Sequence, residues 1–165
     1  MLEHKVINNF LDTDYLNHIK NVIFNQDFPW NYKNYCAFQD SSDGPNLTNF
    51  LYQDNKPVNK YFEIFIPFLE QLKIKHLIQL RLNMVLKDKD YTESDFHVDY
   101  DNVYGGTTGI FYLNTNNGYT LLGDKERIKI DSIENRLLLF PTNVKHAAGR
   151  QTDTNRRVVA NINYI

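Results

Sequence analysis

The spacing of the apolar residues changes partway along the chain, near residue 78. Before that point, the segments 11–24 and 59–74 repeat their apolar side chains every three or four residues, which is typical of helices with a buried face. Asp12 or Thr13 is the expected N-cap of the first helix. We expect the second helix to kink or break at Pro67, because proline lacks the backbone N–H and clashes with the preceding turn.

From about residue 78 onward, short runs rich in β-branched and aromatic residues alternate with turn-forming residues. This spacing is typical of a β-sandwich or jelly roll. We predict an α+β, mainly β fold with a double-stranded β-helix (jelly-roll, cupin-like) core and N-terminal helices packed outside. Residues 1–165 are expected to form one domain, with a mainly helical support region at 1–77 and the core at 78–165. The turn-rich segment 31–57 should be irregular or a hairpin.

Composition narrows the choice of partners and compartment. The net charge is −2, so no basic surplus is available to neutralise a nucleic-acid backbone. The single cysteine, Cys36, cannot form an internal disulfide and is expected to be a packed small side chain in a reducing compartment. No apolar run reaches the roughly 18 residues of a membrane span. We therefore expect a cytoplasmic protein with no membrane partner.

The candidate chemistry begins in the segment DFHVDYDN, where His97 and Asp99 stand two residues apart. On an extended chain such side chains point to one side. A third candidate, His146, follows the most apolar run, RLLLF. Two imidazoles and one carboxylate form a facial triad that binds iron(II) and leaves coordination positions open, whereas zinc is more often closed by a fourth ligand. The other histidines are expected to be structural or exposed: His4, His18 and His76.

The final run, RRVVANINYI, carries an unusual polar face. Alternation places Arg157 with Val159 and Asn161, while Arg156 shares the opposite, apolar face. A buried arginine needs an anion. This anion is either an acidic side chain elsewhere in the chain or the distal carboxylate of a dicarboxylate cosubstrate. Tyr112, in the run GIFYLN, could donate its hydroxyl to the same carboxylate.

Five segments together resemble the iron(II)- and 2-oxoglutarate-dependent dioxygenases, most closely the small prolyl-4-hydroxylase-like enzymes of bacteria and phages: FHVDYDN, TGIFYLN, NNGYTLL, ENRLLLFPTNVKHAAG and RRVVANINYI. The resemblance implies that His97, Asp99 and His146 hold Fe(II), and that Arg157 and Tyr112 bind the 5-carboxylate of 2-oxoglutarate. It also implies O2 as a reactant and ascorbate as a candidate reductant.

One position departs from the prolyl-hydroxylase pattern. These enzymes often carry a cosubstrate-binding tyrosine at the end of the first core strand, where this chain has Lys87. Either Lys87 contributes to the site, or Asn83 and Arg81 shape that wall differently.

The resemblance implies hydroxylation of an unactivated C–H bond, coupled to decarboxylation of 2-oxoglutarate to succinate and CO2. We expect a peptidyl or amino-acid substrate, with proline as the first candidate, because the loop before the iron motif is acidic and four aromatic residues could form a wall for the substrate: Tyr91, Phe96, Tyr100 and Tyr104. The alternatives are an oxygenase acting on nucleobases or a small metabolite, a cupin-like metal protein that does not use 2-oxoglutarate, and an inactive binding module.

Overall fold

The computed structural model describes residues 2–35, 44–87, 89–90, 92–100, 103 and 105–165. The helices are α1 (Thr13–Ile23) and α2 (Ile66–Gln71), the latter preceded by a 3-10 helix at Lys60–Phe65. The strands are β1 (Lys5–Ile7), β2 (Asn31–Lys33), β3 (Asn46–Gln53), β4 (Lys56–Pro57), β5 (Leu77–Leu86), β6 (Thr107–Tyr112), β7 (Tyr119–Leu122), β8 (Ile128–Asp131), β9 (Arg136–Pro141), β10 (His146–Gly149) and β11 (Arg156–Tyr164). The Cys36 prediction lies outside the described residues.

The strands form two antiparallel sheets. The larger has the order β1-β9-β6-β11-β5-β3-β2, with β4 beside β3, and the smaller has the order β10-β7-β8. Neighbours in these orders are mostly distant in sequence, as in a jelly roll. The predicted mainly β fold with helices outside the core is confirmed. In the part of the chain that the structure describes, no helix is long and apolar enough to span a membrane.

Helix α1 forms where the apolar periodicity predicts it. Asp12 is the N-cap, and its carboxylate accepts a hydrogen bond of 2.9 Å from the backbone N–H of Tyr15. The second helical segment is broken beside Pro67, as expected. The 3-10 helix ends at Phe65 and α2 starts at Ile66, so Pro67 lies in the first turn of α2 rather than at a kink within one helix. The first turn tolerates proline because its N–H groups have no intrahelical partner.

The expectation of a mainly helical region at residues 1–77 missed strands β1 to β4. The largest omission is β3, which pairs with β5 in the middle of the main sheet. Strand β3 is hard to recognise from the sequence because it buries two polar residues, Asn46 and Asn49. Its residues therefore do not alternate between apolar and polar. The segment 31–57 is therefore part of the sheet, not merely a connection.

Strand β11 separates the core from the cavity. Val158, Ala160 and Ile162 face the apolar core shared with the helices. The opposite face carries Arg157 and Asn161 into a cavity between the two sheets. This is the two-faced strand predicted from the sequence.

Candidate metal centre and anion pocket

The two candidate histidine ligands come together through the backbone. His97 and His146 form an antiparallel bridge in which each donates its N–H to the other's carbonyl, at 3.0 and 2.8 Å. Residues paired in this way present their side chains on the same side. The two imidazole rings lie 4.4 Å apart, centroid to centroid. The sequence predicts that the two histidines lie close together. It does not predict the isolated backbone bridge that brings them together.

The backbone also selects the tautomer of each ring. The Nδ1 of His97 lies 3.1 Å from the carbonyl of Asp95, and the Nδ1 of His146 lies 3.2 Å from the carbonyl of Val144. A carbonyl can only accept, so each hydrogen bond requires the proton on Nδ1. The Nε2 lone pair of each ring is then available for a metal ion.

Asp99 completes the group. Its side chain is 7% exposed, and its Oδ1 lies 3.9 Å from the Nε2 of His146. The other carboxylate oxygen lies 3.1 Å from the hydroxyl of Thr108, which is also 2.8 Å from the Oδ1 of Asn163. Thr108 has one proton for these two acceptors; when it donates to Asp99 it fixes the carboxylate orientation, as outer residues around metal ligands commonly do.

Three observations show that a metal ion fits these residues. The ligand atoms of His97, Asp99 and His146 lie within 4.8 Å of one another, so small rotations bring all three to metal-binding distances of about 2.0–2.2 Å. The Nε2 of His146 is buried with no hydrogen-bond partner. Burial lowers the pKa of His146 to about 4, against the opposing effect of Asp99, so the ring is neutral and able to coordinate at neutral pH.

A cavity extends from the histidines to Arg157. Its volume is about 60 Å³, whereas one water needs about 10–15 Å³ on the same scale, so it has room for a small organic acid. Arg157 is 3% exposed. Its Nη2 donates to the hydroxyl of Thr120 at 3.1 Å and its Nε to the hydroxyl of Ser132 at 3.3 Å. Its alkyl chain packs so closely on Gly118 that a Cβ there would lie 3.0 Å from Cδ.

Tyr112 supports this arginine rather than lining the cavity. The Arg157 guanidinium lies 5.6 Å from the centroid of the Tyr112 ring. The Tyr112 hydroxyl donates to Thr120 at 2.8 Å. Burial raises the pKa of Tyr112, so the phenol remains a protonated donor. Tyr112 thus reaches the predicted carboxylate position through Thr120.

Thr120 is a site residue that the sequence reasoning missed. Its Oγ1 accepts from both Tyr112 and Arg157, which occupies both lone pairs and leaves the hydroxyl proton for a ligand in the cavity. The only sequence feature that points to Thr120 is its position as a polar residue next to the two leucines of the run YTLLG. Thr120 and Arg157 together present convergent donors suited to a carboxylate.

The structure shows which residues of the first core strand, β5, form the cavity wall. Lys87 is exposed and follows β5, whereas Arg81 and Asn83 line the cavity. Asn83 donates to Asn161 at 3.1 Å and accepts from Asn46 at 3.4 Å. This wall is therefore built from amides and a guanidinium, with no contribution from Lys87.

The predicted aromatic wall is only partly covered by the described residues, since Tyr91 and Tyr104 lie outside them. Phe96 packs against the Arg127 guanidinium at 5.1 Å. Tyr100 is half-buried, and burial raises the pKa of its hydroxyl. The remaining histidines stand apart from the metal candidates, with His18 and His76 exposed and His4 partly buried.

No protein-family model and no curated protein matches the sequence. Solved structures do. A prolyl hydroxylase from Trichoplax adhaerens, in complex with a hypoxia-inducible-factor peptide, matches with a TM-score of 0.73 at 18% identity, over 98% of this chain and 83% of that one. A 2OG-Fe(II) oxygenase family oxidoreductase from Burkholderia pseudomallei matches with a TM-score of 0.75 at 11% identity, over 98% and 84%. A Pseudomonas putida prolyl-4-hydroxylase matches with a TM-score of 0.71 at 11% identity, over 99% and 92%.

The chain has the 2-oxoglutarate/Fe(II) oxygenase fold. The matches cover nearly the whole chain, including the N-terminal half in which the sequence shows no motif. The resemblance drawn from residues 78–165 is thus confirmed at the level of the fold. One fold can support many activities, so the chemistry of this protein has to be inferred from the residues that line the cavity.

Proposed function

We propose that the protein is an Fe(II)- and 2-oxoglutarate-dependent hydroxylase. The observation that carries the proposal is one cavity lined by His97, His146 and the buried Arg157, with the carboxylate of Asp99 within 4.8 Å of the ligand atoms of both histidines. His97, Asp99 and His146 would hold the iron, and Arg157 with Thr120 would hold the distal carboxylate of 2-oxoglutarate. When bound, iron and 2-oxoglutarate would supply the oxidising chemistry with O2: a substrate C–H bond would become C–OH while 2-oxoglutarate would be converted to succinate and CO2.

In this proposal, separate groups of residues hold the metal and bind the cosubstrate. The backbone-fixed tautomers keep both Nε2 atoms available to the metal, and Thr108 orients the carboxylate of Asp99. Arg157 neutralises one end of the cosubstrate and Tyr112 holds Thr120 in place. The apolar residues between the sheets exclude water, which strengthens these charged contacts.

We propose a peptidyl or amino-acid side chain as the substrate, with proline as the first candidate. In support, two solved structures with this fold are prolyl hydroxylases, one of them bound to a peptide. Nucleobases and small metabolites are the competing substrate classes.

Succinate release tests the proposal. The purified protein should bind one Fe(II) and convert 2-oxoglutarate to succinate with a member of a panel of peptides, free amino acids and nucleic acids. His97→Ala, Asp99→Ala and His146→Ala should each remove iron binding and turnover while circular dichroism shows an intact fold. Full iron-dependent activity in all three variants would refute the metal assignment. Bound iron without any succinate would favour a cupin-like metal protein.

A further inference from the structure

Two positively charged side chains stand close together, and one of them, Arg81, lines the cavity. Lys33, at the end of β2, and Arg81, in β5, both approach the ring of Phe50, with Nζ at 5.1 Å and Cζ at 5.6 Å from its centroid. In the described parts of the chain, neither cation forms an ion pair. Burial and the charge of Arg81 lower the pKa of Lys33. Two neighbouring cations without an anion repel each other, and a bound anion would relieve that repulsion.

Arg81 also has an unused hydrogen-bond donor. Its side chain lines the cavity, and its Nε is buried without an acceptor. A buried donor without a partner is costly and uncommon in native proteins, and it calls for a partner that a bound ligand can supply.

This position is separate from the Arg157 end of the cavity. Arg157 pairs with Val85 on β5, and Arg81 lies four residues earlier on the same strand, opposite Asn161. At about 3.3 Å per residue, the two positions are about 13 Å apart along β5. Arg81 pairs with Asn161 on β11, two residues from Asn163, whose Oδ1 lies 2.8 Å from the Thr108 hydroxyl beside Asp99. Arg81 therefore serves the part of the cavity nearer the candidate metal ligands.

We propose that Arg81, assisted by Lys33, binds a carboxylate of the primary substrate, and that this substrate is a small free acid such as an amino acid. The inference rests on the proposed function and narrows its substrate class. A proline inside a peptide carries no carboxylate beside its ring, because the peptide bond has consumed it. The free amino acid keeps that charge and is small enough to bring it to a buried donor.

Binding can be measured without turnover. The protein is loaded with Zn(II) in place of Fe(II) and with 2-oxoglutarate, and ligand-observed NMR then compares L-proline and other free amino acids with their carboxamides. We expect the acid to bind at least about tenfold more tightly than its amide, as a charge-assisted hydrogen bond would give. Arg81→Gln should reduce the acid to the level of the amide, and Arg81→Lys should recover part of the difference.

Controls separate this role from others. Arg156→Gln removes an exposed cation outside the cavity and should leave acid binding unchanged. Lys33→Gln should weaken the acid less than Arg81→Gln, and it provides a second measurement if the Arg81 variants fold poorly. The affinity for 2-oxoglutarate should stay within about twofold of wild type in Arg156→Gln and Lys33→Gln, and in Arg81→Gln it should fall less than the affinity for the acid.

Several outcomes would overturn the inference. Equal binding of acid and amide, or binding of nucleotides alone, would show that no carboxylate is recognised. A matched loss of 2-oxoglutarate affinity in Arg81→Gln would make Arg81 a cosubstrate ligand instead. A protein that binds iron and 2-oxoglutarate but none of the acids would retain the proposed function and lose this substrate class, whereas loss of iron or 2-oxoglutarate binding would defeat the proposed function itself.

Discussion

Replacing Arg157 by glutamine removes a charge that the fold encloses almost completely. The side chain is 3% exposed and its guanidinium is oriented by hydroxyls and an aromatic ring, so water cannot replace its contact with a bound carboxylate. Losing one member of a buried, hydrogen-bonded charge pair costs about 2–5 kcal/mol. At about 1.4 kcal/mol per factor of ten, this predicts a roughly 30-fold to several-thousandfold weaker affinity for 2-oxoglutarate.

The assay is a titration of 2-oxoglutarate against the anaerobic Fe(II) protein, followed by the absorption change on binding. Arg157→Lys keeps the charge but not the planar fork, and it should lie between wild type and Arg157→Gln. Arg156→Gln is the matched control, because Arg156 is exposed and packs over Phe24. Unchanged affinity in Arg157→Gln, or a loss in Arg156→Gln instead, would refute the assignment of the cavity face of β11. Thermal melts distinguish weakened binding from unfolding.

Two further predictions concern residues that act through a neighbour. Thr108→Val keeps the shape of the side chain but removes the hydroxyl that orients Asp99, so iron affinity, measured by competition with a chelator, should fall about 10- to 100-fold; an unchanged affinity would show that Asp99 is held in other ways. Tyr112→Phe removes the donor to Thr120, so the 2-oxoglutarate dissociation constant should rise about two- to tenfold, as expected for one neutral hydrogen bond; a loss as large as that of Arg157→Gln would mean that the Tyr112 hydroxyl touches the cosubstrate directly.

The metal candidates and the cavity face of β11 could be predicted because each depends on local periodicity. Alternation along an extended chain determines the face on which Arg157 lies, and this alternation is visible in the letters of RRVVANINYI. The spacing of His97 and Asp99 likewise shows that their side chains can reach one point. The position of His146 opposite them follows from the fold rather than from the spacing along the chain.

The missed features depend on partners distant in sequence. Strand β3 contains Asn49, which is stable in the interior because its side chain donates to the Pro29 carbonyl and accepts from Asn59, so the sequence of the strand resembles a loop. Thr120 could not be recognised before its contacts with Arg157 and Tyr112 were known. In both cases a polar residue is stable in the interior only because the tertiary structure supplies its hydrogen bonds.

Net charge and local charge favour different ligands in this protein. The chain carries −2 overall, which disfavours phosphate-rich partners at long range. The cavity nevertheless contains two arginines, Arg157 and Arg81, with Lys33 close to the second. Net charge acts over distances comparable to the Debye length of about 8–10 Å, whereas a ligand in the cavity interacts with the side chains that enclose it. The local charges therefore govern binding in the cavity, and they support the two proposals made above: an anionic cosubstrate at Arg157 and an anionic substrate at Arg81.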